Sequence, residues 1–187
     1  PAYIEGYPDG TFRPNNSLTR AELASLLYRL QATSSTTGTV KSFKDVSSSF
    51  WANQAIQSMQ SAGLMSGLPN GTFAPSKPIT RAEMAIILSR WQGLSGQGGT
   101  TFATDINGHW AEREIKLVLT AGLMQGISPS TFQPNAPLTR AQAVTILNKI
   151  LEKTAVLSAR STQWKDVPTS HWAYADIMEA SNSYSLK

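Results

Sequence analysis

The fold of this chain is decided by the stretch TRAEMAIIL, residues 80–88, whose opening recurs twice more. Residues 19–22 read TRAE and residues 139–142 read TRAQ, so the copies lie about sixty residues apart. A threonine followed three residues later by Glu or Gln, ahead of an apolar run, is a capping box that satisfies backbone N–H groups at a helix start. The apolar residues that follow are spaced three or four apart, which predicts an amphipathic helix. Repetition at this period indicates a repeat protein.

Two further blocks recur around each predicted helix. A turn containing Gly and Pro precedes it, at residues 6–14, 67–75 and 126–134. A second helix is predicted after an Asp and a Trp, and Gly63 and Gly122 end the first two of these helices. No extended alternation of apolar and polar residues favours a sheet. The predicted fold class is therefore all-α, with three helix-turn-helix repeats packed as a pseudo-threefold helical bundle.

The repeats are out of phase with the chain. Residues 1–32 hold the C-terminal half of a copy, residues 43–92 and 102–152 hold complete copies, and residues 164–187 hold an N-terminal half. An isolated half copy would leave its apolar face exposed. We therefore expect residues 164–187 to pack against residues 1–30, complete a third unit and close a pseudo-threefold ring. The alternative is an unpaired helix at each end.

Three segments separate the copies. Residues 33–41 and 92–101 are rich in Ser, Thr and Gly, which is typical of mobile surface linkers. Residues 152–163 are less polar, and their composition also allows the preceding helix to continue.

Composition argues against several classes of function. The 187 residues carry a formal net charge of +4 and no cysteine. Lys and Arg occur singly, with no basic stripe interleaved with aromatics, so nucleic-acid binding has little support. No stretch has the length and apolar character of a transmembrane helix. Residues 1–3 lack the layout of a signal peptide, so any such signal has been removed or lies outside this sequence.

No catalytic, metal or cofactor site is predicted. The sequence has no zinc-ligand spacing, phosphate loop, EF-hand or cysteine nucleophile. His109 and His171 precede tryptophans, but the corresponding residue is Phe50, and a position that accepts Phe is neither a metal ligand nor a general base. Glu22 and Glu83 are explained as members of capping boxes rather than as glycosidase acids.

Together these motifs resemble the S-layer homology family. The resemblance rests on Gly…Gly-Thr-Phe-x-Pro followed by Ile-Thr-Arg-Ala-Glu, and on Phe-x-Asp-Val leading to Trp-Ala. It implies modules, usually in triplets, that fold as a three-pronged pseudo-trimer. It further implies that grooves between neighbouring units bind secondary cell-wall polymers, often ones with pyruvate ketals on an amino sugar. Such modules anchor S-layer proteins and exported enzymes to bacterial envelopes, outside the cell. The sequence departs from the pattern at Gln142 and Ser130.

Arginine occupies the first helical position of each copy. The helix dipole disfavours a cation there, so its repetition suggests a function. Free N–H groups at a helix start favour an anion, and an adjacent guanidinium adds a fork suited to the carboxylate of a pyruvate ketal or uronic acid. The alternative is a solvated arginine, or one paired with a nearby Asp. Arg81→Ala is then expected to weaken glycan binding with little loss of stability. The three candidates are Arg20, Arg81 and Arg140.

Three other repeated sets are candidates for carbohydrate binding. The tryptophans suggest sugar stacking, but a tryptophan at a helix start is more typical of core or of a hydrophobic staple, and we favour that interpretation. The aspartates either close Asx turns or accept sugar hydroxyls. The glycines are expected to serve the backbone, although a glycine also lets a ligand approach the main chain. The sets are Trp51, Trp110 and Trp172; Asp45, Asp105 and Asp166; and Gly6, Gly67 and Gly126.

The leading hypothesis is a non-catalytic module that anchors a secreted or S-layer protein to the bacterial cell wall. It would do so by binding an acidic polysaccharide, and the resemblance implies a pyruvylated one. The alternative is a self-assembly module that uses the same helices for protein contacts within a surface layer. Neither hypothesis requires a cofactor, a nucleic acid or insertion into a membrane.

Overall fold

The computed structural model describes residues 2–32, 34, 38–152 and 164–182. In these ranges the secondary structure consists of helices, with isolated β-bridges and no strand, which confirms the all-α fold of repeats. The predictions for residues 153–163 of the third linker and for residues 183–187 lie outside the described residues. The helices are α1 (Arg20–Arg29), α2 (Asn53–Ser61), α3 (Arg81–Trp91), α4 (Glu112–Thr120), α5 (Arg140–Ile150) and α6 (Tyr174–Ser181).

Capping boxes start α3 and α5 as predicted, and at α1 the Thr19 hydroxyl accepts the N–H of Glu22. In α3 the Thr80 hydroxyl accepts the backbone N–H of Glu83, and the Glu83 carboxylate accepts the N–H of Thr80. Thr139 and Gln142 form the same reciprocal pair at α5, so the amide replaces the carboxylate without loss of the cap. The helices that follow the tryptophans start without a side-chain cap from their N-cap residues, which are all alanine.

The glycines end α2 and α4 as predicted. Gly63 and Gly122 have φ angles of 67° and 69°, the left-handed conformation that a side chain disfavours. In α2 this conformation lets the N–H of Leu64 donate to the carbonyl of Met59 at 3.0 Å, which closes a Schellman motif.

Helix packing does not follow the repeat boundaries. The chain divides into two compact units, Thr19–Pro137 and the combined segments Pro1–Leu18 and Leu138–Lys187. In the first unit α1 packs against α2 and α3 against α4, and in the second α5 packs against α6. The two helices of the complete copy 43–92, α2 and α3, therefore have different partners. Each pair joins helices on either side of a linker rather than on either side of a turn.

The first two linkers have contacts with the helices that follow them. The N–H of Gly38 donates to the carbonyl of Ser61 at 2.9 Å, at the end of α2. The N–H of Gly99 donates to the Thr120 hydroxyl at 2.8 Å, at the end of α4. These described parts contact the end of the second helix of each pair, and most of their residues are exposed.

A phenylalanine at the end of each Gly-to-Phe turn forms the centre of the packing. Phe12, Phe73 and Phe132 are completely buried. Phe73 contacts the ring of Phe43, and Phe12 contacts the ring of Trp164. Phe43 and Trp164 each lie two residues before the repeated aspartate, and in the remaining copy this position is Ala103. The neighbouring Phe102 is 87% exposed. The third copy therefore lacks the aromatic pair that the other two have.

The last half copy contacts the first turn of the chain. The N–H of Lys165 donates to the carbonyl of Gly10 at 2.9 Å, and the N–H of Tyr3 donates to the carbonyl of Ala180 at 3.0 Å. The Tyr3 hydroxyl donates to Oδ1 of Asn148 at 2.7 Å, and Asn148 is almost completely buried. The division into copies and the closed ring remain predictions, but these contacts support a union of the two half copies.

Candidate functional site

The three predicted arginines are buried and hold backbone carbonyls. Each is only 4–5% exposed. The Nε of Arg20 donates to the carbonyl of Phe73 and its Nη2 to the carbonyl of Ser66, both at 2.8 Å. The guanidinium also covers the Phe73 ring, 4.6 Å from its centroid. The other two arginines make equivalent contacts. The Nε and Nη2 atoms of Arg81 donate to the carbonyls of Phe132 and Gln125, and those of Arg140 donate to the carbonyls of Phe12 and Glu5.

The helix starts beside these arginines offer no free N–H groups in their first turn. At α1 the N–H groups of Arg20 and Ala21 donate to the carbonyls of Lys77 and Pro75, and the third N–H donates to the Thr19 hydroxyl. The starts of α3 and α5 have the same arrangement. The predicted anion site built from helix N–H groups is therefore wrong, because the protein's own oxygens occupy them. The prediction of a solvated arginine is wrong as well.

Arg20 and Arg81 differ in their charge partners. Nη1 of Arg20 forms an ion pair with Glu83, whose carboxylate also completes the capping box of α3. Arg81 makes no ion pair with any residue that the structure describes. Burial lowers the pKa of Arg81, and the charge of Asp105 opposes this effect. Arg81 is thus a buried cation whose charge is balanced only at a distance.

The three aspartates clamp the turns that precede the arginine helices. The two carboxylate oxygens of Asp45 accept the N–H groups of Phe73 and Ala74 at 2.9 and 2.8 Å. Ala74 has a φ of 55°, a left-handed conformation that is uncommon for residues other than glycine. Asp105 and Asp166 make the equivalent bonds to Phe132 and Gln133, and to Phe12 and Arg13. The aspartates therefore bind distant backbone rather than closing the local Asx turns that were one interpretation of the sequence.

The clamps make stability depend on pH in the acid range. Desolvation alone would raise the pKa of Asp45, but the N–H groups of Phe73 and Ala74 and the charge of Arg20 outweigh it, and the pKa lies below its usual value. Asp105 is shifted in the same direction by the equivalent groups. A carboxyl group whose pKa is lower in the folded chain stabilises the fold at pH values above its unfolded pKa of about 3.9. This contribution is lost as the pH falls through the pKa of the folded state.

We expect the melting temperature to fall as the pH is lowered from about 5 towards 2. The variant Asp45→Asn/Asp105→Asn is expected to be less stable at pH 7 and to show a shallower decline with acid, because an amide does not titrate there. Thermal unfolding at several pH values measures both. An unchanged slope in the double variant would show that these carboxylates do not control acid stability.

The three tryptophans are on the surface. Trp51, Trp110 and Trp172 are 64%, 66% and 64% exposed, so the predicted core role is wrong. The residues that fill the core beside them are the following alanines, which are buried. An exposed indole at a helix start is a flat apolar surface with one N–H donor, as sugar stacking requires.

The three glycines allow close packing of other parts of the chain. A Cβ at Gly67 would collide with the ring of Phe43, and one at Gly6 with the indole of Trp164. At Gly126 a Cβ would meet the carbonyl oxygens of Ser128 and Thr131. The protein itself therefore occupies the space that a ligand would need to reach the main chain at Gly6 and Gly67.

A groove of about 440 Å³ lies beside Arg20, and we call it the arginine groove. Apolar side chains such as Leu64, Ile86 and Ile87 line it, together with Trp110. Lys77 and Arg90 are exposed there, while Glu83 is paired with Arg20. Three cations thus face one carboxylate, and the Lys77 ammonium has no partner among the described residues. The groove has a net positive charge next to an exposed aromatic ring.

A family comparison agrees with the repeated geometry. The model of the S-layer homology domain matches residues 2–24, 42–85 and 104–144, more than half of the chain. The chain belongs to the S-layer homology domain family. This confirms the resemblance that the repeated motifs suggested.

The relatives of this S-layer homology chain are longer proteins. It is 37% identical to a cellulosome-anchoring protein of Acetivibrio thermocellus, over 99% of the chain and 43% of the relative. It is 34% identical to cell surface glycoprotein 1 of the same organism, over 98% of the chain and 8% of the relative. It is 31% identical to an uncharacterized cell wall amidase of Bacillus anthracis, over 90% of the chain and 32% of the relative. The chain spans less than half the length of these relatives.

Sequence reasoning missed two cations of the arginine groove in this S-layer homology chain. A basic residue follows nine positions after each helix-start arginine, as Arg29, Arg90 and Lys149, and this repetition was an available signal. It was obscured because a basic residue in the last turn of a helix is already explained by the helix dipole. Lys77 has no basic counterpart in the other copies and carried no such signal.

No helix in the described ranges is long and apolar enough to cross a membrane.

Proposed function

We propose that this S-layer homology chain is a non-catalytic module that binds an acidic cell-wall polysaccharide and so anchors a larger protein to the bacterial surface. The observation that carries the proposal is the arginine groove, in which Arg20, Lys77 and Arg90 outnumber the single carboxylate of Glu83 beside the exposed Trp110. A sugar that bears a carboxylate fits this combination of charge and aromatic surface.

Each charged or aromatic residue discussed for the arginine groove has a role in the proposed binding of the sugar. Arg90 and Lys77 attract the carboxylate, and a guanidinium can hold both of its oxygens. Trp110 contacts the apolar face of the sugar ring. Arg20 is committed to Ser66, Phe73 and Glu83, so it shapes the groove and adds positive potential. A pyruvate ketal or a uronic acid would supply the carboxylate.

The relatives support an anchoring role outside the cell. One is named for anchoring, another for the cell surface and a third for a cell-wall activity. Nearly the whole of this chain matches only part of each, so the matched part is a module shared by proteins whose names describe different activities. A shared module is more easily explained by a common place of attachment than by a common reaction. We propose the cell wall or S-layer as that place.

The proposal is tested by co-sedimentation of the purified chain with bacterial wall sacculi. Native sacculi are compared with sacculi stripped of their secondary polysaccharide, and with sacculi treated with mild acid to remove ketals. We expect binding to native but not to stripped sacculi, and weaker binding at high salt because the contact depends on charge. Loss of binding after mild acid identifies a ketal as the source of the carboxylate, and retained binding identifies a uronic acid. Equal binding to native and stripped sacculi would overturn the proposal, and concentration-dependent self-association would then favour the surface-layer assembly module.

Trp110→Ala is expected to lower the affinity for native sacculi roughly tenfold, because truncating an aromatic contact residue commonly has an effect of this size. Phe102→Ala is the matched control, since Phe102 is even more exposed but does not line the arginine groove. Thermal unfolding of both variants should remain close to that of the original chain. Equal losses of affinity in the two variants would exclude a specific role for Trp110.

A further inference from the structure

Trp110 lines two cavities. One is the arginine groove, and the other is a cavity of about 620 Å³ between residues 97–101 and the start of α4. We call the second one the linker cavity. Trp110 is 66% exposed and is common to both cavities, so one chain of sugars that contacts this residue can occupy both.

The wall of the linker cavity is fixed to α4. The N–H of Gly99 donates to the Thr120 hydroxyl at 2.8 Å, and Nε of Arg113 donates to the carbonyl of Gly96 at 2.8 Å. Gly98, with a φ of 74°, lies so close to α4 that an added Cβ would be 2.7 Å from the backbone of Lys116. The linker is therefore seated against the helix at three successive points, and the cavity between them is a formed feature.

The two cations that line the linker cavity are paired. Lys116 pairs with Glu112 at 2.6 Å, and Arg113 contacts Glu114, which is outside the lining, at 3.2 Å. The hydrogen bond from Lys116 is the largest of the effects that lower the pKa of Glu112, so this carboxylate stays ionised and paired. In the arginine groove, in contrast, the Lys77 ammonium has no ion-pair partner among the described residues. The two cavities beside Trp110 therefore favour ligand groups of different charge.

The linker cavity also offers neutral groups for hydrogen bonding. The side-chain amides of Gln97 and Asn107 line it and have no hydrogen-bond partner among the described residues. An amide both donates and accepts, which matches a sugar hydroxyl. Paired charges, free amides and the face of an indole together suit an uncharged, hydroxyl-rich ring.

We infer that the linker cavity binds a neutral sugar that is adjacent in the polysaccharide to the acidic sugar in the arginine groove. The inference rests on the proposed function, because it takes the arginine groove as the site of the acidic sugar. The glycan then contacts Trp110, with its charged residue in the arginine groove and its uncharged neighbour in the cavity whose cations are paired.

The test compares fragments of different length. Polysaccharide extracted from native sacculi is hydrolysed and separated into the free acidic sugar and fragments in which that sugar keeps its uncharged neighbour, and binding is measured by calorimetry. We expect the fragments with the neighbouring sugar to bind about tenfold more tightly than the free acidic sugar. Gln97→Ala/Asn107→Ala should remove most of this advantage and leave the affinity for the free acidic sugar unchanged. Gln54→Ala/Gln57→Ala on α2, which lines neither cavity, is the matched control and should behave as the original chain.

The outcomes separate this inference from the proposed function. If the original chain binds the free acidic sugar and the longer fragments equally, or if Gln97→Ala/Asn107→Ala keeps the advantage of the neighbouring sugar, the linker cavity is not a sugar site and the arginine groove stands. If the chain binds no fragment of any length, the proposed function fails and the inference fails with it.

Discussion

Arg20→Ala is expected to lower the free energy of unfolding by about 3 kcal/mol or more, since removing one partner of a buried ion pair leaves an uncompensated charge. The side chains of Arg20 and Glu83 are only 6% and 17% exposed. The substitution also leaves the carbonyls of Phe73 and Ser66 without their donors. Urea unfolding of the variant and the original chain at pH 7 measures the difference.

Arg81→Ala is the matched comparison, because Arg81 has the same helical position and nearly the same burial. Arg81 also donates to two carbonyls, but its removal leaves no carboxylate without an ion-pair partner. We therefore expect a smaller loss of unfolding free energy, about 2 kcal/mol. Both losses exceed what the sequence alone suggested for Arg81, which it placed at the surface. If the two variants lose equal stability, the Glu83 pair makes no net contribution. Adding Glu83→Gln to Arg20→Ala should then change nothing further.

Trp164→Ala is expected to destabilise the unit formed by the two chain ends by about 3 kcal/mol, as large-to-small changes at packed aromatic positions commonly do. The Trp164 ring packs 6.1 Å from that of Phe12 and covers Gly6, and its Nε1 donates to the Ser181 hydroxyl. Thermal unfolding and hydrogen exchange of residues 2–18 measure the effect. A strong loss there would support the proposal that the final half copy completes the first.

A double-mutant cycle with Gly6→Ala makes this test specific. A methyl group at residue 6 collides with the Trp164 indole, so Gly6→Ala alone should also be destabilising. In the Trp164→Ala background the same methyl has space, and its effect should shrink or change sign. Additive effects would show that the two residues are not in contact. Phe102→Ala, at an exposed aromatic, should change stability by no more than about 0.5 kcal/mol.

Local features were predictable because local chemistry determines them. Thr80 and Glu83 satisfy each other's N–H groups within one helical turn. Glycine commonly adopts a left-handed conformation just after a helix, as Gly63 does here. The same logic identified the arginines as unusual, since a cation at a helix start contradicts the helix dipole. The rule was right in pointing to them, but it could not indicate what they contact.

The candidate site was predictable only in some of its members. Trp110 was assigned to the core because an apolar ring near a helix start usually packs inward, yet Ala111 fills that space and the ring is left exposed. Arg20 was expected at the surface, yet it is buried against carbonyls 46 and 53 residues away. Contacts between residues so far apart in the sequence leave no periodic pattern. A single sequence therefore cannot indicate that the Trp110 side chain is exposed and the Arg20 side chain is buried.

The sequence by itself determined the helices, their caps, the threefold repetition and the family, because each of these depends on residues within a few positions of one another or on copies of the same motif. Only the tertiary structure decided that the aspartates clamp distant turns, that paired helices flank the linkers, and that Trp110 is left exposed beside the arginine groove. The N–H groups at the start of an isolated α1 would suit an anion, but in the folded chain they donate to the carbonyls of Lys77 and Pro75. A buried polar group takes whichever partner the fold brings nearest, and only the folded chain determines that partner.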